Sequence, residues 1–331
     1  MNVNKGFAPI KTAAPKVLVT DDVHPVLLQK LAAEGYDCVY QPNTTDAQVR
    51  AEIADYTGLI INSKINVDKA MLDTAVNLEF VGRLGSGMEI VDIAYANEKN
   101  VRVYSSPEGN SNAVAEHAVG LLFAVANNMV RADREVRAMN WQRERNRGFE
   151  IADKTIAVIG YGHTGSALVR KLSGLGAAVL VYDKYLPKGY LNTIAYATEA
   201  DMKAVFAQAD IVSIHLPLNA ETKHLVNDNW INSFAKNIVL INTSRGKIAD
   251  TASIIKNLQH KKLRAAGLDV FENEKPNTFT ESEIILYNQL YEFDNVILTP
   301  HIAGWTEESK LRLATILADK IIGKNKGLAI F

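Results

Sequence analysis

Short runs of β-branched and other apolar residues alternate along the chain with segments whose apolar positions recur at helical spacing. In the first third the runs include VLVT, DCVY and GLIIN, each followed by a helical pattern such as PVLLQKLAAEG. A second series begins at Thr155 with TIAVIG and continues through AVLVYD, DIVSIHLP, NIVLINTSRG, LRAAGLDVF and NVILTPHIAG. This alternation is typical of βαβ units with a parallel sheet. The pattern therefore predicts an α/β protein with two doubly wound parallel-sheet domains.

The segment between the two series, residues 112–140, reads as one or two long helices. Its stretch AVAEHAVGLLFAVA is apolar on too many faces for a surface helix, so it should be buried between domains or against another subunit. A partner chain is the expected cover, which predicts a homodimer. A last helix over residues 307–322 is expected to return to the first domain.

Composition narrows the classes of function. The 36 Lys and Arg residues nearly balance the 37 Asp and Glu residues, and no long block of one charge occurs, so neither nucleic acid nor an anionic membrane is an expected partner. Cys38 is the only cysteine, which excludes intramolecular disulfides and a cysteine-rich metal site and suits a reducing compartment. The first 15 residues lack a signal-peptide core, and the most apolar stretch is too short to span a bilayer. We expect a cytoplasmic protein that binds small molecules.

A glycine motif indicates a dinucleotide site. Gly160, Gly162 and Gly165 have G-x-G-x-x-G spacing directly after an apolar run and before a helical pattern. Such glycines permit the turn, the close approach of a pyrophosphate and the packing of helix on strand. Asp183 closes the next strand, where a carboxylate can bind an adenosine ribose and repel a 2′-phosphate. The motif favours NAD over NADP, although the adjacent Lys184 tempers that preference.

Charged and titratable side chains follow three of the apolar runs of the second series. Arg245 follows VLINTS, Asp269 and Glu274 follow the next run, and His301 follows VILTP. Ligands of open parallel sheets bind beyond the carboxyl ends of the strands, so these residues are candidates for chemistry. A guanidinium there can bind a substrate carboxylate with two charge-assisted bonds, and an imidazolium can protonate a carbonyl oxygen. The other histidines lack comparable company in the sequence: His24, His117, His163, His215, His224 and His260.

The segments VGRLGSG, SPEGNSNAVAEH, VIGYGHTG, HLPLNAET, INTSRG, GLDVFENE and TPHIAGW together resemble the D-isomer-specific 2-hydroxyacid dehydrogenase family, most closely its D-3-phosphoglycerate dehydrogenase-like branch. The resemblance runs over nearly the whole chain. It implies a flavodoxin-like substrate-binding domain, residues 1–107 with 303–331, and a Rossmann NAD-binding domain, residues 108–302. It also implies hinges near residues 107–112 and 301–305 and a cleft that closes over the substrate.

The resemblance also implies roles for individual residues. Arg245 would bind the substrate carboxylate, His301 would be the acid/base, and Glu274 would pair with that histidine. Asp269 would contact the nicotinamide carboxamide, and the loop Gly85-Ser86-Gly87 would face the substrate carboxylate. The remaining implied positions contact cofactor or substrate: His163, Thr164, Pro217, Thr243 and Gly304 on the cofactor side, and Ser63, Ser86 and Gly87 on the substrate side.

Some positions depart from the family pattern or leave alternatives open. Residue chemistry alone does not choose between Glu272 and Glu274, and only the family spacing selects Glu274, which is followed here by Lys275 rather than proline. Residues 88–90 read Met-Glu-Ile where Asp-Asn is usual in the last two places, and His163-Thr164 replaces the common Arg-Ile. Asp153 occupies a turn position usually given to glycine, which aspartate tolerates because it can adopt the left-handed region.

The substrate and the class of protein have rival interpretations. Asn62-Ser63-Lys64 stands where phosphoglycerate enzymes tend to have Arg-Ser-Arg, which weakens the case for a phosphorylated substrate, and Lys64 reads better as a surface lysine. The main expectation is a NAD-dependent enzyme that interconverts a 2-keto acid and a D-2-hydroxy acid, with 3-phosphoglycerate as one candidate. The alternative is a NAD(H)-sensing, corepressor-like binding protein of the same fold.

Overall fold

A computed structural model describes residues 14–323. The first thirteen residues, which include most of the segment examined for a signal peptide, and residues 324–331 lie outside this description. Within it, the chain divides into two compact units, one made of residues 14–109 and 310–323 and the other of Asn110–Ser309.

The first unit is built on a five-stranded parallel sheet. Its strand order is β2-β1-β3-β4-β5, the order of flavodoxin-like folds. The strands are the predicted β-branched runs, and β3 is buried at all four positions, as expected of a strand covered on both faces. The elements are β1 (Lys16–Val19), α1 (Val26–Ala33), β2 (Asp37–Tyr40), α2 (Asp46–Glu52), β3 (Gly58–Ile61), α3 (Lys69–Thr74), β4 (Phe80–Arg83), α4 (Ile93–Glu98) and β5 (Arg102–Ser105).

The second unit is built on a seven-stranded parallel sheet. The elements are α5 (Ser111–Ala126), α6 (Met129–Arg137), β6 (Thr155–Ile159), α7 (His163–Leu172), β7 (Ala178–Tyr182), β8 (Thr198–Glu199), α8 (Met202–Gln208), β9 (Ile211–Ile214), α9 (Asp228–Asn232), β10 (Ile238–Asn242), α10 (Thr251–Gln259), β11 (Leu263–Leu268), α11 (Glu281–Tyr291) and β12 (Val296–Leu298). In the strand order β12-β11-β10-β9-β6-β7-β8, the chain adds strands on one side of β6 up to β8 and then on its other side from β9, as in the Rossmann fold. The predicted class, two doubly wound α/β domains, is therefore confirmed.

The last described helix, α12, runs from Glu307 to Ile321. Its residues Leu317 and Ile321 are buried in one cluster with Leu27 and Phe80 of the first unit. The Lys320 amine, also buried, donates to the carbonyl of Ser105 and to the Glu108 carboxylate at 2.8 and 2.9 Å. This helix therefore helps to form the core of the first unit.

Helix α5 is covered in part by its own unit. Eight of its sixteen residues are buried, and six of these share a core with α7 and with strands β6, β10 and β11. A sheet and a neighbouring helix of the same unit thus cover part of α5, and the expected cover by the other domain or by a partner chain stays a prediction. The helical conformation is interrupted at Asn128, which has φ +52, so the segment predicted as one or two helices forms two.

Two further features bear on the sequence predictions. Asp153 has φ +61, which confirms the left-handed conformation expected where glycine is usual. Among residues 14–323, no single helix is long and apolar enough to cross a membrane, whereas the bent pair α5 and α6 would pass by length and composition alone.

Candidate active site

The glycine motif forms the turn between β6 and α7. Gly160 has φ +95, and a Cβ at this position would lie 2.2 Å from the carbonyl oxygen of His215. A Cβ at Gly165 would lie 1.9 Å from the carbonyl oxygen of Gly160, so the helix packs against the strand only because residue 165 is glycine. Gly162 is the N-cap of α7 and makes no side-chain cap bond, because glycine has no side chain. A Cβ at this glycine would meet open space. The first N–H groups of α7 are therefore arranged to receive an anion such as a pyrophosphate.

Asp183 lies at the end of β7 and is tied to the glycine turn. Its Oδ2 accepts from the Tyr161 N–H at 2.8 Å, and its Oδ1 accepts from the Tyr185 N–H at 2.9 Å. Oδ1 also accepts from the Leu186 N–H at 3.3 Å. A carboxylate has about four acceptor positions, so these bonds leave capacity for a ribose hydroxyl. The carboxylate is thus positioned by the backbone beside the turn.

Lys184 directs its charge towards another carboxylate. Its amine lies 2.6 Å from Oε2 of Glu221, which also accepts from the Tyr185 hydroxyl at 2.9 Å. The hydrogen bond from Lys184, followed by that from Tyr185, lowers the pKa of Glu221. The bond to Glu221 in turn raises the pKa of Lys184. Because Glu221 offsets this charge, Lys184 gives weaker support to a 2′-phosphate than the sequence alone indicates.

Two buried polar atoms, in the loops that directly follow β9 and β10, have no hydrogen-bond partner among the described residues. Within residues 14–323, neither the Thr243 hydroxyl nor the His215 Nδ1 has a hydrogen-bond partner, although both atoms are buried. Such groups are costly to leave unsatisfied and point to a polar ligand. Pro217 lies exposed just beyond His215, and its carbonyl accepts from the Thr222 hydroxyl at 2.7 Å. Together with the glycine turn and Asp183, these residues fit a dinucleotide.

Arg245 and Gly246 follow β10 and approach the loop that follows β11. A Cβ at Gly246 would lie 1.8 Å from the carbonyl oxygen of Phe271, so the two loops meet backbone to backbone. Arg245 is partly buried, and its Nη1 donates to the carbonyl of Ser244 at 2.6 Å. The Arg-Gly pair therefore brings a guanidinium beside the acidic segment 272–274.

The structure separates the two rival glutamates. Glu274 Oε2 lies 2.7 Å from Nδ1 of His301, whereas Glu272 Oε2 lies 2.7 Å from Nε2 of His224. The other oxygen of Glu272 accepts from the Thr251 N–H at 2.9 Å. Glu274 is therefore the partner of His301, and His224, which has no motif around it in the sequence, also has a carboxylate partner.

The Glu274 carboxyl is stabilised in its charged form. Burial raises its pKa, but the hydrogen bond and charge of His301, the Phe271 N–H and the charge of Arg245 outweigh burial and leave the pKa below its ordinary value. Arg245, Glu274 and His301 therefore form one electrostatic cluster at the strand-end edge of the second unit. A charged glutamate in this position can orient the imidazole ring through the bond to its Nδ1.

Asp269 is located behind this cluster and is fully buried at 0% exposure. Its Oδ1 accepts from the Ile302 N–H and its Oδ2 from the Ala303 N–H, at 2.9 and 2.8 Å. Oδ1 also accepts from the Thr299 hydroxyl at 2.6 Å. The Asp269 carboxylate thus holds the turn that carries His301, and its role at the nicotinamide carboxamide stays a prediction. Gly304, next in the chain, allows the Asn110 side chain to approach, since a Cβ there would lie 2.8 Å from Nδ2.

The remaining predicted site residues lie in loops of the first unit and in α7 of the second. Ser63 and Ser86 are exposed and Gly87 is buried, all three in loops that follow strands of the first unit. The Lys64 amine donates to the carbonyl of Pro42 at 2.7 Å, which agrees with the surface-lysine interpretation. On the cofactor side, His163 is exposed and Thr164 partly buried in the first turn of α7.

Sequence reasoning missed three polar residues of the second unit. Thr299 and Glu221 lie within the family-like segments TPHIAGW and HLPLNAET but have no predicted role, and His117 has none although its Nε2 lies 3.0 Å from the Thr299 hydroxyl. Thr299 directly precedes the Pro-His pair, which is the one local signal that could have drawn attention to it. The contact of His117 joins residues 182 positions apart and could not be found from local pattern.

Comparison with known proteins agrees with this geometry. Residues 119–303 match the family model of the D-isomer specific 2-hydroxyacid dehydrogenase NAD binding domain. A glyoxylate reductase from Thermofilum pendens is 34% identical over 325 residues, covering 95% of this chain and 93% of that protein. A D-3-phosphoglycerate dehydrogenase from Archaeoglobus fulgidus is 30% identical over 315 residues, covering 95% of this chain and 58% of the relative. The crystal structure of D-lactate dehydrogenase from Aquifex aeolicus, complexed with NAD and lactic acid, superposes with a TM-score of 0.81 at 25% identity, covering 94% of this chain and 96% of that one.

The chain belongs to the D-isomer specific 2-hydroxyacid dehydrogenase family, and its second unit contains the NAD binding domain of that family. The chain spans 58% and 56% of the length of two curated D-3-phosphoglycerate dehydrogenases that it matches. Family membership and the glycine turn together identify the dinucleotide as NAD.

Proposed function

We propose that this protein is a cytoplasmic NAD-dependent dehydrogenase that interconverts a 2-keto acid and a D-2-hydroxy acid. The observation that carries the proposal is the 2.7 Å contact between His301 and Glu274, with the Arg245 charge close enough to lower the Glu274 pKa. An imidazole oriented by a carboxylate beside a guanidinium provides a proton donor and a carboxylate-binding group together.

The chain's own residues would perform the following steps. Arg245 binds the substrate carboxylate and thereby fixes the neighbouring carbonyl carbon. His301 donates a proton from its Nε2 to the carbonyl oxygen during reduction, while its Nδ1 remains bonded to Glu274. The α7 N-terminus and Asp183 would hold NADH, which when bound would supply a hydride to the carbonyl carbon. In the reverse direction His301 accepts the hydroxyl proton.

The substrate class is less closely defined by the site. The Lys64 amine is bonded to Pro42, and Asn62 replaces an arginine, which together favour a small unphosphorylated keto acid such as glyoxylate or hydroxypyruvate. One observation favours 3-phosphohydroxypyruvate instead. A Cβ at Gly85 would lie 1.6 Å from Nη1 of Arg83, so a guanidinium lies against the loop that contains Ser86 and Gly87. Ser63, Ser86 and Gly87 stay proposed substrate contacts.

A substrate panel tests the proposal. NADH oxidation should be measured with glyoxylate, hydroxypyruvate, pyruvate and 3-phosphohydroxypyruvate, and the products should have the D configuration. The His301→Ala variant should lose turnover and still bind NADH, measured by fluorescence, because the histidine acts on the substrate rather than on the adenosine. Binding of NADH without turnover of any keto acid in the wild-type protein would instead support the nucleotide-sensing alternative.

The proposal includes a homodimer, but on a different surface from the one expected. Apolar side chains are exposed on α6 and in the loop after it, with Met139 at 92% and Trp141 at 76% exposure, next to Met129, Val130 and Val136. A concentration of exposed apolar residues of this kind marks an interaction site. Light scattering of the full chain should give the mass of a dimer, and Met139→Glu with Trp141→Glu should shift the mass towards that of a monomer. A monomeric wild-type protein would refute this part of the proposal.

A further inference from the structure

The turn that carries His301 is held from two sides by one residue. The backbone carbonyl of Asp269 accepts from the His301 N–H at 2.8 Å. The side chain of the same residue accepts from the next two backbone N–H groups, those of Ile302 and Ala303, at 2.9 and 2.8 Å. Asp269 therefore fixes the backbone at His301 and immediately after it.

The conformation of His301 itself requires such support. Its φ is +57, in the left-handed region that residues other than glycine rarely adopt. A residue held in that region persists only where the surrounding structure determines its conformation. If the bonds to Asp269 weakened, the backbone at residue 301 would relax, and the imidazole would leave its position beside Glu274.

Two side chains in turn hold the Asp269 carboxylate. The Thr299 hydroxyl donates to Oδ1 at 2.6 Å and lies 3.0 Å from Nε2 of His117, a residue of α5. A hydroxyl has one proton, and that of Thr299 is used for Asp269, so the His117 contact is one in which Nε2–H donates to the Thr299 oxygen. The same Nε2 lies 3.5 Å from Oδ1 of Asp269. A chain of contacts therefore runs from α5 through Thr299 to the turn of the acid/base.

We infer that Thr299 and His117 are positioning residues, which hold His301 in its active conformation by fixing the buried carboxylate of Asp269. The inference rests on the proposed function, because it takes His301 to be the acid/base. Neither residue needs to touch the substrate: His117 acts on Thr299, Thr299 acts on Asp269, and Asp269 acts on the backbone of the turn.

A pair of nearly isosteric variants isolates the hydroxyl. Thr299→Val keeps the shape of the side chain and removes the hydrogen bonds, whereas Thr299→Ser keeps the hydroxyl. We expect kcat to fall about tenfold or more in Thr299→Val, the range for loss of a hydrogen bond to a charged group, and to return close to the wild-type value in Thr299→Ser.

His117 offers an independent pair. His117→Gln can keep an N–H donor near the Thr299 oxygen, and His117→Leu removes it. We expect the Leu variant to lower kcat in the same direction as Thr299→Val and the Gln variant to retain most of the activity. A fall in kcat that neither Thr299→Ser nor His117→Gln restores would overturn the inference, because it would follow from altered packing rather than from the hydrogen bonds.

Amide hydrogen exchange of residues 301–303 provides a readout that does not need turnover. Thr299→Val should make these amides exchange about tenfold faster or more, and Thr299→Ser should leave them close to wild type. If the wild-type protein reduced no keto acid, the proposed function would fail while exchange still decided whether Thr299 holds the turn. If the wild-type enzyme is active and Thr299→Val changes neither kcat nor exchange, the inference alone is wrong. An unchanged kcat with faster exchange would overturn it too, because the held turn would then not matter for catalysis.

Discussion

Replacing Glu274 by glutamine tests the central pair with little change in shape. The carboxylate lies 2.7 Å from His301 Nδ1, and its pKa is lowered by that contact despite burial, so the pair is charge-assisted. Hydrogen bonds to charged groups are worth roughly 1.5–3 kcal/mol, and a glutamine oxygen can still accept a neutral bond. The expected loss is therefore near the lower end, about 1.5 kcal/mol, which corresponds to about a tenfold decrease in kcat.

Glu272 provides a matched control for this experiment. It is two residues away, has the same chemistry and makes a 2.7 Å contact with a histidine, but that histidine is His224. Initial rates of NADH oxidation should show the decrease in kcat for Glu274→Gln and a kcat close to wild type for Glu272→Gln. NADH binding, measured by fluorescence, should be unchanged in both. Equal decreases in the two variants, or none in Glu274→Gln, would refute the assignment of Glu274 to the acid/base.

Three further predictions concern neighbouring residues. Arg245→Ala should raise KM more than tenfold, because a charge-assisted bond worth roughly 1.5–3 kcal/mol is lost, and a near-normal KM for keto acids would exclude this carboxylate-binding role. Asp183→Ala should reduce the ratio of kcat/KM with NADH to kcat/KM with NADPH. It should also weaken NADH binding, because the Tyr161 N–H loses its acceptor. An unchanged ratio would show that another residue sets the cofactor preference. Burial lowers the pKa of His215 from 6.5 to about 4, so below pH 6.5 the unfolded chain binds a proton that the folded protein does not, and stability should fall as the pH drops towards 4. Denaturant unfolding at several pH values should show that His215→Gln removes up to about 3 kcal/mol of this pH dependence, and an equal dependence in both proteins would argue against the buried neutral imidazole.

The sheets were predictable because their signals are local. Each β-branched run bounded by turn residues, such as GLII of β3, fixes a strand without reference to distant parts of the chain. The rule that ligands bind beyond the carboxyl ends of parallel strands then selects Arg245 and His301 from single positions in the sequence. Both steps need only the order of residues along the chain.

The cover of α5 was not predictable in the same way. An apolar pattern on most faces of a helix indicates that the helix is buried, but it contains no information about which surface covers it. The structure places α7 and the sheet of the same unit there, whereas the exposed apolar side chains lie on the shorter helix α6, whose pattern is more polar. The exposed apolar surface that we propose for the dimer therefore lies on the helix after the one that the sequence indicated.

The choice between Glu272 and Glu274 depended on a contact between two distant loops. Because residue 246 is glycine, its backbone packs directly against that of Phe271 and Glu272. Glu272 is thereby kept on the side of Thr251 and His224, with one oxygen bonded to each. Glu274 lies two residues beyond Glu272, and its carboxylate reaches His301. The two glutamates therefore differ in the partners that the folded chain brings to them, which acidity and sequence position alone do not reveal.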